Sequence, residues 1–467
     1  PVVIVLSSLL GEYSDNWSHL YEYVLLGYIK NSFYLVFGVS FCVLLIGVTT
    51  AWLVTNYNFF GKSIFEWALI LPFAVPPYIL AYTFTGMFDS YGSANNLIRE
   101  LFSLDNDFIF FPKVRNIYGA IIVFSFTLYP YVYLVSRMAF INQSKSILES
   151  GRTLGLNQFQ VFYKLGVPMI RPAVVAGLMI VIMETLSDFG AVDHFAISTF
   201  TTGIFRTWYG LYDLNTAKQL SSLLLLLVII FIFIEKYSRR KAGFSLATSV
   251  YKPLNKVRLQ GYKNILAFLC CFIPIFIGFI LPVLQLSNWA FNYKLDFFDA
   301  KFLNTSWNTF ILAVTAAFLT TAFALFINFS IRFKKIRLLS IVSSFLTVGY
   351  AVPGLILAIG VMQLLTYIDR VFTIEFFNIT LTGSLIGLIL AYVIKSYALS
   401  SSTLEAGFQR ISPRIDDVAK TLKSSGWNLL GRIHLPLLTT SVLTSVLLVV
   451  SEVIKELPAT LILRPFN

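Results

Sequence analysis

The sequence predicts an all-α polytopic membrane protein: two parallel-repeat halves of about six transmembrane helices each, with the first and last spans incomplete. Three observations carry this. Of 467 residues, 57% are hydrophobic and 12% charged, about half the charged fraction of a soluble domain. The apolar segments run about 20 residues or more, enough for a helix to cross a bilayer and too long for barrel strands. Lipid gives backbone groups no partner, so such segments must be helices. Finally, one polar, helical loop occurs twice. Glu149-Ser150-Gly151-Arg152-Thr153-Leu154-Gly155, ending at Pro168, maps at an offset of 268 onto Asp417-Val418-Ala419-Lys420-Thr421-Leu422-Lys423, ending at Pro436.

Taken in order, residues 1–11 read as the end of a span. Spans follow at about 31–55, 64–86, 117–139, 173–192 and 219–235, then at about 263–285, 306–331, 339–364, 380–402 and 437–457. Each is an apolar run bounded by charged loops. The loops around 56–63, 137–172, 235–263, 332–337 and 403–435 hold 23 of the 35 basic residues and five acids. The opposite loops hold nine basic and 13 acidic residues. The first set is therefore cytoplasmic, and both copies of the repeated loop lie there. The same bias accounts for the net charge of +12 without nucleic acid as a partner. With no initiator Met and no counterpart of the 219–235 span in the second half, residues before Pro1 and a further span after Asn467 are expected.

The repeat covers each half. Asn31-Ser32-Phe33 matches Asn308-Thr309-Phe310 at an offset of 277, and Ala74-Val75-Pro76 matches Ala351-Val352-Pro353. The predicted division is a first half at 1–235 with its loop at about 144–168, a Lys/Arg-rich cytoplasmic linker at 236–262, and a second half at 263–467 with its loop at about 412–436. Pro76-Pro77 and Pro353-Gly354 interrupt corresponding helices. Two readings of those breaks stand: a packing kink, or backbone facing a pathway.

Within the loops, Ser144 and Ser412 are helix-start signals, and Pro413 suits the first helical position. Gly155 can end the first helix at positive φ, with Gly426 available for the second. Asn157 and Ser425 can cap a second short helix. Phe159 and Trp427 are equivalent, as are Phe162 and Leu430. Large apolar side chains here fit either a partner's groove or packing back onto the spans.

Sites for chemistry are scarce. Cys42, Cys270 and Cys271 lie in apolar runs and read as small core residues. His19, His194 and His434 lack metal-ligand spacing, and no metal site is assigned. There is no Walker-type phosphate loop and no nucleophile elbow, so no catalytic residue is assigned.

The loop resembles the inner loop of permease subunits of ATP-binding-cassette importers: Glu-Ala-Ala, three residues, Gly, nine residues, Ile-x-Leu-Pro. Glu149, Gly155 and Pro168 match in the first copy. Ala419, Ile433, Leu435 and Pro436 match in the second, with Asp417 for Glu and Lys423 where glycine is expected. Leu128-Tyr129-Pro130-Tyr131-Val132-Tyr133, Met183-Glu184-Thr185-Leu186-Ser187-Asp188-Phe189-Gly190 and the closing Lys455-Glu456-Leu457-Pro458-Ala459 resemble the fused permeases of bacterial ferric-iron importers.

That resemblance implies a multi-pass permease in the bacterial inner membrane, itself no enzyme, working by alternating access among membrane lipid. A periplasmic binding protein would deliver ferric iron, and two copies of a cytoplasmic ATPase would dock on the two loops. This chain would bind no cofactor, with ATP and Mg on the partner ATPase. Docking residues would be Glu149, Gly151, Gly155, Phe159, Pro168, Asp417, Ala419, Trp427 and Pro436. The alternatives are the same transporter class for thiamine, polyamine, phosphonate or another small solute, or an ion-coupled carrier or channel.

Ionisable groups within spans are costly and face a pathway or a buried partner. Glu184 and Asp188 are four apart, and at offset 268 they map to Glu452 and Glu456. Each pair is expected to share one helix face. With Pro76 and Pro353 these are the candidate pathway residues: four carboxylates offering a hard cation an acidic ring, or satisfied by buried pairing, with Lys455 nearby.

Overall fold

In the computed structural model, residues 2–105, 108–141, 150, 151, 153–240, 257–292, 299–334, 337–372, 381–421 and 426–465 are described. Among them, nine helices are long and apolar enough to cross a membrane, or ten if one bent pair counts as a span. The main ones are α1 Leu25–Asn56, α2 Pro77–Phe88, α3 Ile117–Ile141, α4 Val167–Ser187, α5 Leu214–Arg240, α6 Tyr262–Ile275, α7 Ala300–Lys334, α8 Gly354–Phe372, α9 Leu385–Arg410 and α10 Leu435–Lys455. The chain is an all-α, multi-pass membrane protein. Among the described residues, strand is confined to a two-residue parallel pairing of Tyr57–Asn58 with Val257–Arg258, at the end of the predicted linker.

The repeat is visible in element bounds. A π-helical turn at Phe162–Gly166 leads into α4, and one at Leu430–His434 leads into α10. All four bounds are related by 268. The proline breaks recur as well. A 3-10 turn at Leu71–Ala74 precedes Pro76 and α2, and one at Thr347–Ala351 precedes Pro353 and α8. Proline has no N–H to donate and its ring excludes a helical predecessor. In the first copy the axis turns by 88°. The predicted continuous spans at 64–86 and 339–364 are therefore each two helices.

Packing divides the chain into two compact units, Tyr13–Leu295 and Pro1–Glu12 with Asp296–Asn467. This differs from the division at the linker drawn from the repeat. In the first unit, α6 continues through a π turn into Leu281–Asn292, which lies on α2: Trp289 meets Tyr82 edge-on at 5.7 Å, and Ser93 donates to Gln285 at 3.0 Å. In the second unit the short helix Val2–Ser7 lies on α8, the counterpart of α2.

The two units hold their central helices together by different chemistry. Helix association in lipid relies on close packing and interhelical hydrogen bonds. In the first unit α1 approaches α3 so closely at Gly47 that an added Cβ would sit 2.9 Å from the Val132 Cβ. In the second, hydroxyls link α7, α9 and α10: Ser400 to Ser445 at 2.6 Å, Thr321 to Ser445 at 3.0 Å, and Asn328 to Ser401 at 3.0 Å. Cys271 is buried and Cys42 half-buried, as small core residues should be, but Cys270 is exposed on α6.

Candidate functional site

The second loop forms the helix Pro413–Thr421, then Gly426–Leu429. Gly426 has φ +57°, the left-handed conformation that an L side chain resists; Lys423 lies outside the described residues. In the first loop Gly155 has φ +81°. Asn157 then caps Gln158–Val161: its Oδ1 accepts from the Gln160 amide at 2.8 Å, and Gln160 Oε1 accepts from the Asn157 amide at 3.0 Å. This is the reciprocal box that satisfies first-turn donors. Glu149 and Ser144 lie outside the described residues, as does Ser425.

Of the predicted docking residues, Asp417 is exposed on its helix and Trp427 is 75% exposed, its ring stacked on Phe326 at 5.9 Å. Gly155, Pro168 and Pro436 are exposed, the prolines opening α4 and α10. Gly151 and Ala419 are buried, Gly151 beneath the Leu165 side chain. Phe159 lies in its short helix. The equivalent pair Phe162 and Leu430 packs back onto the spans: Phe162 against Trp52 at 5.2 Å, Leu430 buried at 4%.

A charged cluster at the second loop was missed by sequence reasoning. Asp416, not Asp417, turns inward. Its Oδ2 accepts from Arg332 Nε at 2.8 Å, and its Oδ1 lies 3.0 Å from His434 Nε2. Arg332 also donates to the backbone oxygens of Ile411, at 2.9 Å, and Phe408. The available signal was His434, which stands where the first copy has Gly166.

The four carboxylates lie at the C-terminal ends of α4 and α10. Helix α4 ends at Ser187 rather than near 192, and α10 ends at Lys455, so Asp188 and Glu456 are the residues that close them. Glu184 and Glu452 remain in the last helical turns, half-buried and buried. Asp188 Oδ1 accepts from the Ala191 amide at 2.8 Å, capping the helix Gly190–His194. Glu456 Oε1 accepts from the Ala459 amide at 3.3 Å, in the helix Pro458–Leu463. Glu456 is also ion-paired with Lys395 of α9. Glu456 therefore has a cation from another helix, Lys395, as its partner. The signal for it was a lysine inside the apolar run of the 380–402 span. Pro76 is half-buried and Pro353 buried.

Residues 43–237 match the family model described as binding-protein-dependent transport system inner membrane component. The chain is 26% identical over 451 residues, 93% of its length and 80% of the relative's, to the Fe(3+)-transport system permease protein FbpB 2 of Haemophilus influenzae. It is 24% identical to the ferric transport system permease protein FbpB of Actinobacillus pleuropneumoniae, over 88% of this chain and 59% of that protein. A shorter match, 26% identical over 32% of this chain and 62% of the relative, is to the molybdenum transport system permease protein ModB of H. influenzae.

Proposed function

We propose, from the match of residues 43–237 to the binding-protein-dependent inner-membrane permeases, that the whole chain is the permease of an ATP-driven importer of ferric iron. It is a multi-pass inner-membrane transport subunit, not itself an enzyme. A periplasmic binding protein hands over the cargo. Two copies of a cytoplasmic ATPase hydrolyse ATP with Mg and dock on the loops at about 144–168 and 412–436, whose movement switches the spans between outward and inward access. No cofactor is held by this chain.

The observation that carries this reading is the duplicated loop, with its π turn and following helix repeated at one offset in each half. A one-site carrier or channel has no use for two such parts. Ferric cargo is supported by the names of the longest-matching relatives and by the chemistry of the spans. Fe³⁺ is a hard cation that favours oxygen ligands. Glu184 and Glu452 are the carboxylates we assign to passing contact with it. Asp188 and Glu456 mainly hold the short helices that follow.

The test has two arms. Glu149→Lys with Asp417→Lys should abolish stimulated ATP hydrolysis while the permease still inserts; normal hydrolysis and ATPase capture would refute the docking assignment. Glu184→Gln with Glu452→Gln should lower uptake of radiolabelled iron delivered by the cognate binding protein, with ATPase stimulation retained. Wild-type vesicles that take up no iron would refute the cargo.

A further inference from the structure

We propose that Arg332 and His434 are positioning residues that clamp the second docking loop to its spans, through side chains that the equivalent positions of the first half do not carry. The inference rests on the reading of 412–436 as an ATPase-docking loop and adds how that loop is anchored.

The geometry is that of a joint. Asp416 lies in the first turn of Pro413–Thr421, where the helix dipole favours an anion. Each of its oxygens has a basic neighbour, Arg332 at 2.8 Å and His434 at 3.0 Å. Arg332 belongs to the C-terminal end of α7, and its remaining donors reach the end of α9 and the residue after it, at Phe408 and Ile411. His434 closes the π turn that leads into α10 and is 1% exposed, with Phe329 and Phe408 each 5.6 Å from its ring. The carboxylate therefore ties the loop helix to α7, and through Arg332 to the end of α9, with His434 of the turn before α10 packed beside it. A guanidinium presents several donors in a fixed fork, so such a joint resists sliding and rotation as well as separation.

The corresponding positions in the first half cannot build it. Arg332 maps to Thr55, Asp416 to Leu148 and His434 to Gly166. The Thr55 hydroxyl donates to Ala51 O of its own helix at 2.7 Å. At Gly166 an added Cβ would lie 2.8 Å from the Trp52 ring. Trp52, the counterpart of Phe329, takes up the volume that His434 fills in the second half. It packs on Phe140 at 5.0 Å and Phe162 at 5.2 Å. Apolar packing of this kind has no preferred bond direction, whereas the second loop is held at the matching positions by directional polar contacts. Movement imposed on the second loop passes through them to α7 and the end of α9.

The experiment uses the full complex of this chain with its ATPase in lipid nanodiscs and vesicles, with iron-loaded binding protein as the probe. ATPase capture, ATP hydrolysis and iron taken up per ATP are measured. Arg332→Gln and Asp416→Asn should keep the ATPase bound and hydrolysing, with uptake per ATP down about fivefold or more, the size of an ordinary coupling term. Arg332→Lys should restore part of the ratio, and Thr55→Val should leave it at the wild-type value. A cargo-independent readout is amide exchange, which should rise across Pro413–Thr421 in Arg332→Gln and His434→Gln and stay unchanged at 153–166. Unchanged uptake per ATP and unchanged exchange in Arg332→Gln and Asp416→Asn would overturn the clamp while leaving docking intact. Loss of ATPase capture in Arg332→Gln would also overturn it, making Arg332 part of the docking surface itself. If the wild-type chain captures no ATPase, the docking reading fails, and that result is distinct from the other two.

Discussion

At residue scale, Glu456 illustrates what a charge inside a span requires. Its cost made it conspicuous in the sequence as a candidate for either a pathway or a buried pair. The structure supplies the pair from α9, 61 residues away, a tertiary contact that no local pattern encodes. The two side chains are 9% and 5% exposed. Removing one partner of such a pair strands the other charge, whereas removing both costs far less. Lys395→Met should therefore destabilise the purified permease by about 3–5 kcal/mol. The double variant Lys395→Met with Glu456→Gln should recover most of that loss. Denaturant titration of the two singles and the double in detergent measures the cycle; additive losses would show that the pair does not act as a unit. Gly354, the first residue of α8, abuts the same carboxylate, so the pair also fixes the start of the broken helix.

At the scale of elements, the repeat, the loop helices and the paired breaks were legible because each has a local cause: a proline without a donor, a glycine able to take positive φ, an asparagine able to cap. Helix ends inside apolar sequence were not. Nothing in the run through Ser187 distinguishes a helix that stops from one that continues to 192; what ends it is Asp188 capping the next helix. The segment before α1 was equally opaque. Residues 14–17 are tied to the start of α5: Ser14 and Asn16 donate to Asp213 Oδ2, the latter at 2.8 Å, and Trp17 donates to Gln219. Burial pushes the Asp213 carboxyl up, but hydrogen bonds from Ser14, the Thr216 amide and hydroxyl, and Asn16 outweigh it and hold it well below the usual carboxylate range. Because the folded value is depressed, this stabilisation is complete above the ordinary carboxylate range and is lost as pH falls through it toward the folded value. Amide exchange in residues 13–19, expressed relative to the intrinsic rate at each pH, should therefore rise on acidification. In Asp213→Asn it should be raised already at neutral pH and vary little with acid. A wild-type exchange pattern that ignores pH would rule the tie out.

At the scale of the whole molecule, the sequence repeat and the packing units answer different questions. The repeat records which segments are copies: α1 of α7, α2 of α8, α3 of α9, α4 of α10. The packing units record which segments share a core, and there Tyr262–Asn292 joins the first set and Val2–Ser7 the second. A helix surface of general apolar character fits many neighbours, so the assignment of these flanking helices could not be read from hydropathy. Each unit nevertheless retains one loop, at about 144–168 or 412–436, and one broken helix. On the proposed function a single chain carries two docking loops, and two copies of the chain would carry four. If each ATPase takes one loop, the assembled transporter holds one permease and two ATPases. Native mass spectrometry of the complex purified through a tag on this chain should give that ratio. A mass equal to two permeases with two ATPases would mean that only one loop per chain docks. Repeating the measurement with Glu149→Lys and Asp417→Lys separately would then identify which loop it is.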